Sequence, residues 1–309
     1  EAFPVMANIS DEDEVHKEWP SPYQFNHCVI AIPFVDELGL SGMVNDSIIG
    51  DVLIFDPTSK YTPIGSLPRY LHGKNVLLNH KKVESLTVLP VEKSGDSEEE
   101  RDISVHLDID GTIHGSILIE SSGHAASYLR ELCFGQSDRR LRMTMRNWIA
   151  VGAARTEIEG VKFEDDFEND RFLLEIRFLS LFYGQRVAGE NRIVLKPIFL
   201  GRHRDQGILA GGANRPPAYI SRAKTLQERI RYEWGEGLDV EILMKPLQVT
   251  SSFARYGFSI LTENSRFIEF QREWSSDFEY VSPRRYTEVV AFYDEVSRID
   301  RGAIVLKLK

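Results

Sequence analysis

Two residues whose types and spacing could do chemistry stand on neighbouring apolar runs. His27 opens the run His27-Cys28-Val29-Ile30-Ala31-Ile32-Pro33, and Asp56 closes Val52-Leu53-Ile54-Phe55-Asp56-Pro57-Thr58. A carboxylate beside an imidazole fixes its tautomer and raises its basicity, and the imidazole can then activate a thiol. The chain has two cysteines to weigh as that thiol, Cys28 and Cys133. Successive residues on a strand point to opposite faces, so Cys28 is expected to face away from the ring of His27. Cys133 falls on an apolar helical pattern, the setting of a buried, inert thiol. On spacing alone, His27 and Asp56 read first as a strand-ending histidine and an Asp-Pro-Thr turn, since two residues do not make a motif.

Other constellations point elsewhere. Asp108-Ile109-Asp110-Gly111-Thr112 superficially matches the first motif of haloacid-dehalogenase-type phosphatases, where two aspartates work beside magnesium. That motif should follow a buried parallel strand, whereas Ser104-Val105-His106-Leu107 alternates as a half-exposed hairpin strand does, so Asp-Gly is expected to be a turn. His106, His114 and His124 lack the convergence a metal needs, and no metal or other cofactor is expected. Arg139-Arg140 with Arg142, and Arg202-His203-Arg204, are short basic clusters for which solvated faces or local ion pairs are the expectation. Gly211-Gly212 has no strand-to-helix context and is not a phosphate cradle.

The positioning elements are mostly strands. With 309 residues and 42% hydrophobic content, the chain can bury two or three cores. A net charge of −10 argues against nucleic acid or an anionic membrane as the main partner. No apolar run approaches the roughly twenty residues of a membrane span. Two cysteines are too few for a disulfide framework, though a single Cys28–Cys133 bridge stays open. Neither a signal peptide nor an initiator Met opens the chain, and Ala2-Phe3-Pro4-Val5 reads as a strand inside a domain.

Strands are expected over 1–8, 26–34, 51–56 and two runs within 74–89, with a Gly/Asp/Asn-rich insertion at 38–50. The polar stretch 92–100 marks a boundary, and 207–217, rich in Gly and Pro, marks a second boundary or a long loop. Between them lie a hairpin (103–109 and 113–119), helices near 124–133 and 141–149, and strands near 155–163, 171–183 and 191–200. Phe163, Phe167, Phe172, Phe178, Phe182 and Tyr183 are expected to build a sandwich core. The last hundred residues give four strands, a helix at 285–299 and a closing strand at 303–308. The class is α+β, β-rich, in three units: 1–92, 93–205 and 206–309.

The run Pro22-Tyr23-Gln24-Phe25-Asn26-His27, then Phe55-Asp56-Pro57-Thr58, Tyr61-Thr62-Pro63-Ile64-Gly65-Ser66-Leu67-Pro68 and Val88-Leu89-Pro90 resembles the second half of a bacterial transglutaminase-like core. The likeness is to the subgroup in which that core sits between β-rich domains of unknown function. Asp110-Gly111 with Gly115, Gly123-His124-Ala125-Ala126 leading to Arg130, and the Tyr286 helix before Ile304-Val305-Leu306 extend the likeness over nearly the whole chain. The resemblance implies the latter strands of a papain-like core followed by two β-sandwich-like domains with a few helices. It also implies thiol-dependent amide chemistry of a cysteine protease or acyltransferase on a protein or peptide substrate. His27 would be the base and Asp56 its orienting acid. The nucleophile would lie on a helix preceding the opening strand, so that this chain alone would be inactive. A core without that helix would bare an apolar face around Phe3, Val5, Val29 and Ile54 and leave 1–92 less stable than 93–309, or covered by another copy. The family implies a bacterial envelope location, periplasmic or secreted. The chain departs from it in the insertion between the two site strands and in Leu53-Ile54, where relatives often place a Trp. The rival reading is a non-catalytic module that binds protein or glycan through its β-rich domains.

Overall fold

The computed structural model describes all residues except 1, 11–14, 20, 35–38, 84, 151–152, 154 and 202–218, together with the side chain of Ala150. The Arg202-His203-Arg204 cluster and the Gly211-Gly212 pair therefore lie outside the described residues. The protein is β-rich, with several sheets and a few helices.

Six strands build the N-terminal sheet: β1 (Phe3–Ala7), β2 (His27–Pro33), β3 (Met43–Asp46), β4 (Gly50–Phe55), β5 (Asn75–Leu78) and β6 (Thr87–Val88), in the order β3-β4-β2-β1-β5-β6. The supposed insertion at 38–50 thus holds a strand of its own. Asp46 pairs with Gly50 across the β3–β4 hairpin, and the Asp46 carboxylate accepts from the amides of Ile48 and Ile49 to close it.

Register fixes which side chains share a face. Val5 opposes Val29, Ala7 opposes His27, and Ile54 opposes Ala31. Val5, Val29 and Ile54, expected to lie bare, are fully buried in one cluster with Leu67, Leu71 and Leu89. The segment after β4 folds back and covers them, which alternation within the strands cannot reveal. The more open side is the reverse face of Met6, Cys28 and Leu77, where Met6, Phe25, Leu77 and Leu86 help line an apolar cavity of about 530 Å³.

The remainder is organised by one eight-stranded sheet. Its first strands are β7 (Glu98–Leu107) and β8 (Ile113–Ser122), followed by α1 (Gly123–Cys133), α2 (Asp138–Ala150), β9 (Thr156–Asp166) and β10 (Arg171–Ser180). The short β11 (Gln185–Arg186), β12 (Arg192–Leu195) and β13 (Tyr219–Ser221) lead to β14 (Lys224–Trp234), β15 (Leu238–Ile242), β16 (Leu247–Thr250), β17 (Ala254–Glu263), β18 (Phe267–Ser276) and β19 (Glu279–Val281). Then come α3 (Tyr286–Asp300) and β20 (Ile304–Leu308). The sheet order is β16-β17-β18-β14-β7-β8-β10-β9.

Strict alternation makes β7 half-buried: Ile103, Val105 and Leu107 point to the core, and Glu100, Asp102 and Ser104 to solvent. Helices α1 and α2 lie on the half of the sheet formed by β7–β10, and α3 packs against β16. A four-stranded sheet, β11-β12-β20-β15, contributes Ile193, Leu195, Ile304 and Leu306 to the same core.

The second expected boundary, 205/206, falls within the undescribed residues. On either side of it, β7 and β14 pair in parallel from Glu98↔Thr225 to Leu107↔Trp234, so one sheet draws strands from both flanking units. Of the aromatics assigned to a core, Phe172 and Phe178 are fully buried, whereas Phe167 and Phe182 are surface residues lying under Arg130 and Arg155.

Candidate active site

His27 and Asp56 meet. His27 is the first residue of β2, and Asp56 directly follows β4 on the face that carries Ile54. The His27 Nε2 lies 2.7 Å from Asp56 Oδ2, with the carboxylate enclosed and the imidazole side chain 16% exposed. The turn after β4 completes the carboxylate's shell. Thr58 donates its amide (2.9 Å) and its hydroxyl (2.7 Å) to Oδ1, and the Tyr70 hydroxyl donates to Oδ2 at 2.7 Å. The Tyr70 ring stands edge-on to the imidazole, with centroids 5.9 Å apart.

Burial pushes the Asp56 carboxyl up, but the hydrogen bonds from Tyr70, His27 and Thr58 outweigh it, and the group sits below the ordinary aspartate value. Burial and the adjacent Asp56 push Tyr70 up to about 12, so it remains a phenol and a donor. With Nε2 engaged by Asp56, Nδ1 is the ring nitrogen able to exchange a proton with a reacting group.

The segment entering His27 is held by amides. Asn8 Nδ2 donates to Gln24 O at 2.8 Å, Asn26 Nδ2 donates to Asn8 Oδ1 at 3.0 Å, and the Ile9 amide donates to Asn26 Oδ1 at 3.0 Å. These bonds fix the approach of the chain to β2 before its ladder with β1 begins.

Both cysteines are free thiols, which closes the option of a bridge between them. Cys28 pairs with Met6 on the face opposite His27 and is exposed. Cys133 is buried on α1, where burial alone pushes its thiol up to about 12. Neither can deliver a thiolate to His27. Ellman titration of folded residues 1–309 is expected to register one thiol, Cys28, and Cys133 only after denaturation; fast reaction of both would contradict this placement.

The remaining candidates sit apart. Asp108 to Thr112 form a tight hairpin turn, with Gly111 at φ +90° against the carbonyl of Gly184, where a Cβ would not fit. The strand before it is half-buried and turns straight back into the antiparallel β8, which is not the setting of a phosphatase motif, although its other edge pairs in parallel with β14. His106 and His114 face each other across β7–β8 and both approach the half-buried Asp108, at 3.6 and 3.1 Å. His124 lies elsewhere, at the start of α1. Among the described residues no group of three or more His, Cys, Asp or Glu is arranged to hold a metal ion.

Arg130, on α1, is a cation held in the interior. It is fully buried and bound to Asp165 (2.9 Å) and Asp170 (2.7 Å). Tyr70 and Thr58 were not singled out; the signal for Thr58 was the Asp-Pro-Thr turn itself, in which an aspartate commonly accepts from the residue two positions on.

Residues 191–306 match the model of a family described as a domain of unknown function with solved structure, DUF3858. That stretch runs from β12 into β20 and does not include His27 or Asp56. No curated protein matches the chain. No described helix is long and apolar enough to cross a membrane.

Proposed function

We propose that His27 and Asp56 are the base and orienting acid of a transglutaminase-like site, and that the β-rich remainder is an accessory to amide-bond chemistry. The observation that carries this reading is the 2.7 Å bond from His27 Nε2 to a fully enclosed, hydrogen-bonded Asp56 carboxylate. Support comes also from the matched domain, of a type often found near transglutaminase-like domains.

Because Cys28 and Cys133 are both misplaced, this reading requires a thiol from outside residues 1–309. In the reaction His27 Nδ1 takes the proton of that thiol, and the thiolate adds to a carboxamide or peptide carbonyl. The C–N bond breaks as the imidazolium returns its proton to the departing amine. Water or an amine, deprotonated by His27, then adds to the thioester and breaks its C–S bond. The substrate class is protein or peptide amides in the bacterial envelope, with hydrolysis or cross-linking decided by the acceptor.

The test uses the native protein isolated from its own cells, treated with a thiol alkylator and assayed on a glutamine-containing peptide with and without a primary amine. One fast-labelled cysteine outside residues 1–309 is expected. His27→Ala should lower turnover by roughly a hundred- to ten-thousandfold, the usual share of a general base. A native protein with no fast thiol besides Cys28 and no amide turnover sinks the reading. The β-rich part would then be left as a module that binds protein or glycan.

A further inference from the structure

The loop that supports the dyad is also the floor of a junction. Tyr61, between Asp56 and Tyr70 in sequence, has its carbonyl bound by the Ser127 hydroxyl of α1 at 3.0 Å. Its ring stacks on Phe134 at the end of α1, with centroids 6.1 Å apart and planes inclined by 11°. Arg222 donates to the carbonyl of Arg69 at 3.1 Å, immediately before Tyr70. Two residues after Tyr70, the His72 ring meets the His124 ring of α1 edge-on at 5.0 Å. The short path from Asp56 to His72 is thus held on one side by the N-terminal sheet and on the other by α1.

At the centre of this junction His124 Nε2 lies 3.1 Å from Glu92 Oε1, with the two side chains 13% and 5% exposed. Glu92 ends the N-terminal unit and His124 begins α1, so the pair spans the two. Both line a small cavity together with His72, Asp96, Ser127 and Asp170. The charged and titratable groups facing the pair are His72, Arg69 and Arg222 on the basic side and Asp96 and Asp170 on the acidic side, Asp170 being already bound to Arg130.

We propose that Glu92 and His124 form a pH-sensitive clasp, sharing one proton, that holds the 57–72 loop against α1 and so couples the support of Asp56 to the docking of the large sheet. With one proton between them, held on the Glu92 carboxyl, the pair is neutral, as so buried a site requires; His124 Nε2, although 3.1 Å from Glu92, has no aligned hydrogen bond. Losing that proton leaves a carboxylate facing a nitrogen lone pair. Gaining a second places an imidazolium beside His72, Arg69 and Arg222.

The direction follows from the proton count. Burial pushes Glu92 up to about 8 and, together with His72, Arg69 and Arg222, pushes His124 down to about 3, so the docked pair holds one proton between those limits. Undocked, with ordinary values of 4.5 and 6.5, the two residues hold one proton only between those values, none above and two below. Docking is therefore favoured most between pH 4.5 and 6.5. It weakens as pH rises from 6.5 towards 8, by about tenfold per pH unit, and again as pH falls below 4.5.

Hydrogen exchange of the whole chain from pH 5.5 to 8.5, corrected for intrinsic rates, tests this. Protection of residues 57–72 should fall at least tenfold between pH 6.5 and 8.5, while that of β10 does not. Glu92→Gln, which stays neutral at every pH, should remove the fall. A flat wild-type profile, or an unchanged fall in Glu92→Gln, overturns the clasp. Should that variant not fold, Ser127→Ala provides the second measurement. It must lower protection of 57–72 at every pH without moving the pH of the fall, and unaltered protection overturns the role of α1. The readout is protection rather than turnover, so failure here leaves the acyl-transfer reading standing, and failure there leaves the clasp.

Discussion

Asp56→Asn should leave the pairing of β1, β2 and β4 intact and lower amide turnover of the native protein by roughly ten-thousandfold, the effect of the same change at the orienting residue of a serine triad. The carboxylate is acceptor-only and obliges His27 to present a proton on Nε2, which leaves the Nδ1 lone pair as base. An amide at the same place can turn its NH₂ towards the ring; Nε2 then accepts, and the proton moves to Nδ1, where the base should be.

Asp56→Ala should cost more in stability, roughly 2–4 kcal/mol, because the Tyr70 hydroxyl and the two Thr58 donors lose their acceptor inside a closed pocket. The pH dependence separates the carboxylate from mere packing. Since the folded value of Asp56 lies below the ordinary 3.8, its contribution is fully present above that value and is lost as pH falls through the folded one. The stability gap between wild type and Asp56→Asn, measured by urea denaturation, should therefore shrink on acidification below pH 3.8. A gap that stays constant, or widens, would show that the side chain acts by shape alone.

The site was legible in part, for a physical reason. A histidine and an aspartate at strand ends are displayed by the apolar runs beside them, whose limits announce where each strand begins and stops. Tyr70 was not legible: its place depends on the path of the intervening loop, which is set by Leu67 and Leu71 inserting into the N-terminal core. The same loop overturned the expectation of a bare face at Val5, Val29 and Ile54. Strand β3 was hidden because Asn, Asp and Gly read as turn residues, although Val44 between them is buried. The β7–β8 hairpin was visible because it is local, whereas the parallel pairing of β7 with β14 joins residues more than a hundred positions apart and leaves no local trace.

Charged residues on the inward positions of β7 were the hardest to read, since such residues are almost never fully buried without a partner. Glu99 and Arg101 take the alternating inward places beside Ile103, Val105 and Leu107. Their partners come from strands beyond 206. Arg101 Nη1 lies 3.0 Å from Glu228 Oε2 on β14, Arg272 Nη2 on β18 lies 2.9 Å from Glu228 Oε1, and Arg272 Nη1 is 3.5 Å from Asp300 on α3. Arg101 also binds Glu99, which Lys224 approaches at 3.6 Å. Three carboxylates and three cations thus neutralise one another along the middle of the large sheet, where β7 meets β14.

Glu228 is the hub, with its side chain fully enclosed between two guanidinium groups. Glu228→Gln keeps the volume but leaves Arg101 and Arg272 facing each other with one negative charge fewer, and breaking a buried pair in this way costs about 3–5 kcal/mol. The loss should appear as a lower denaturation midpoint of the large sheet at an unchanged denaturant slope. Replacing Glu228, Arg101 and Arg272 together by apolar residues of similar volume should recover much of it, because the desolvation of all three ions is then no longer required. If the single variant proves as stable as wild type, the network is not a closed ionic cluster. If the triple variant is no better than the single, the ions are needed to hold β14 in its parallel register against β7, and hydrogen exchange along both strands would then show the slip.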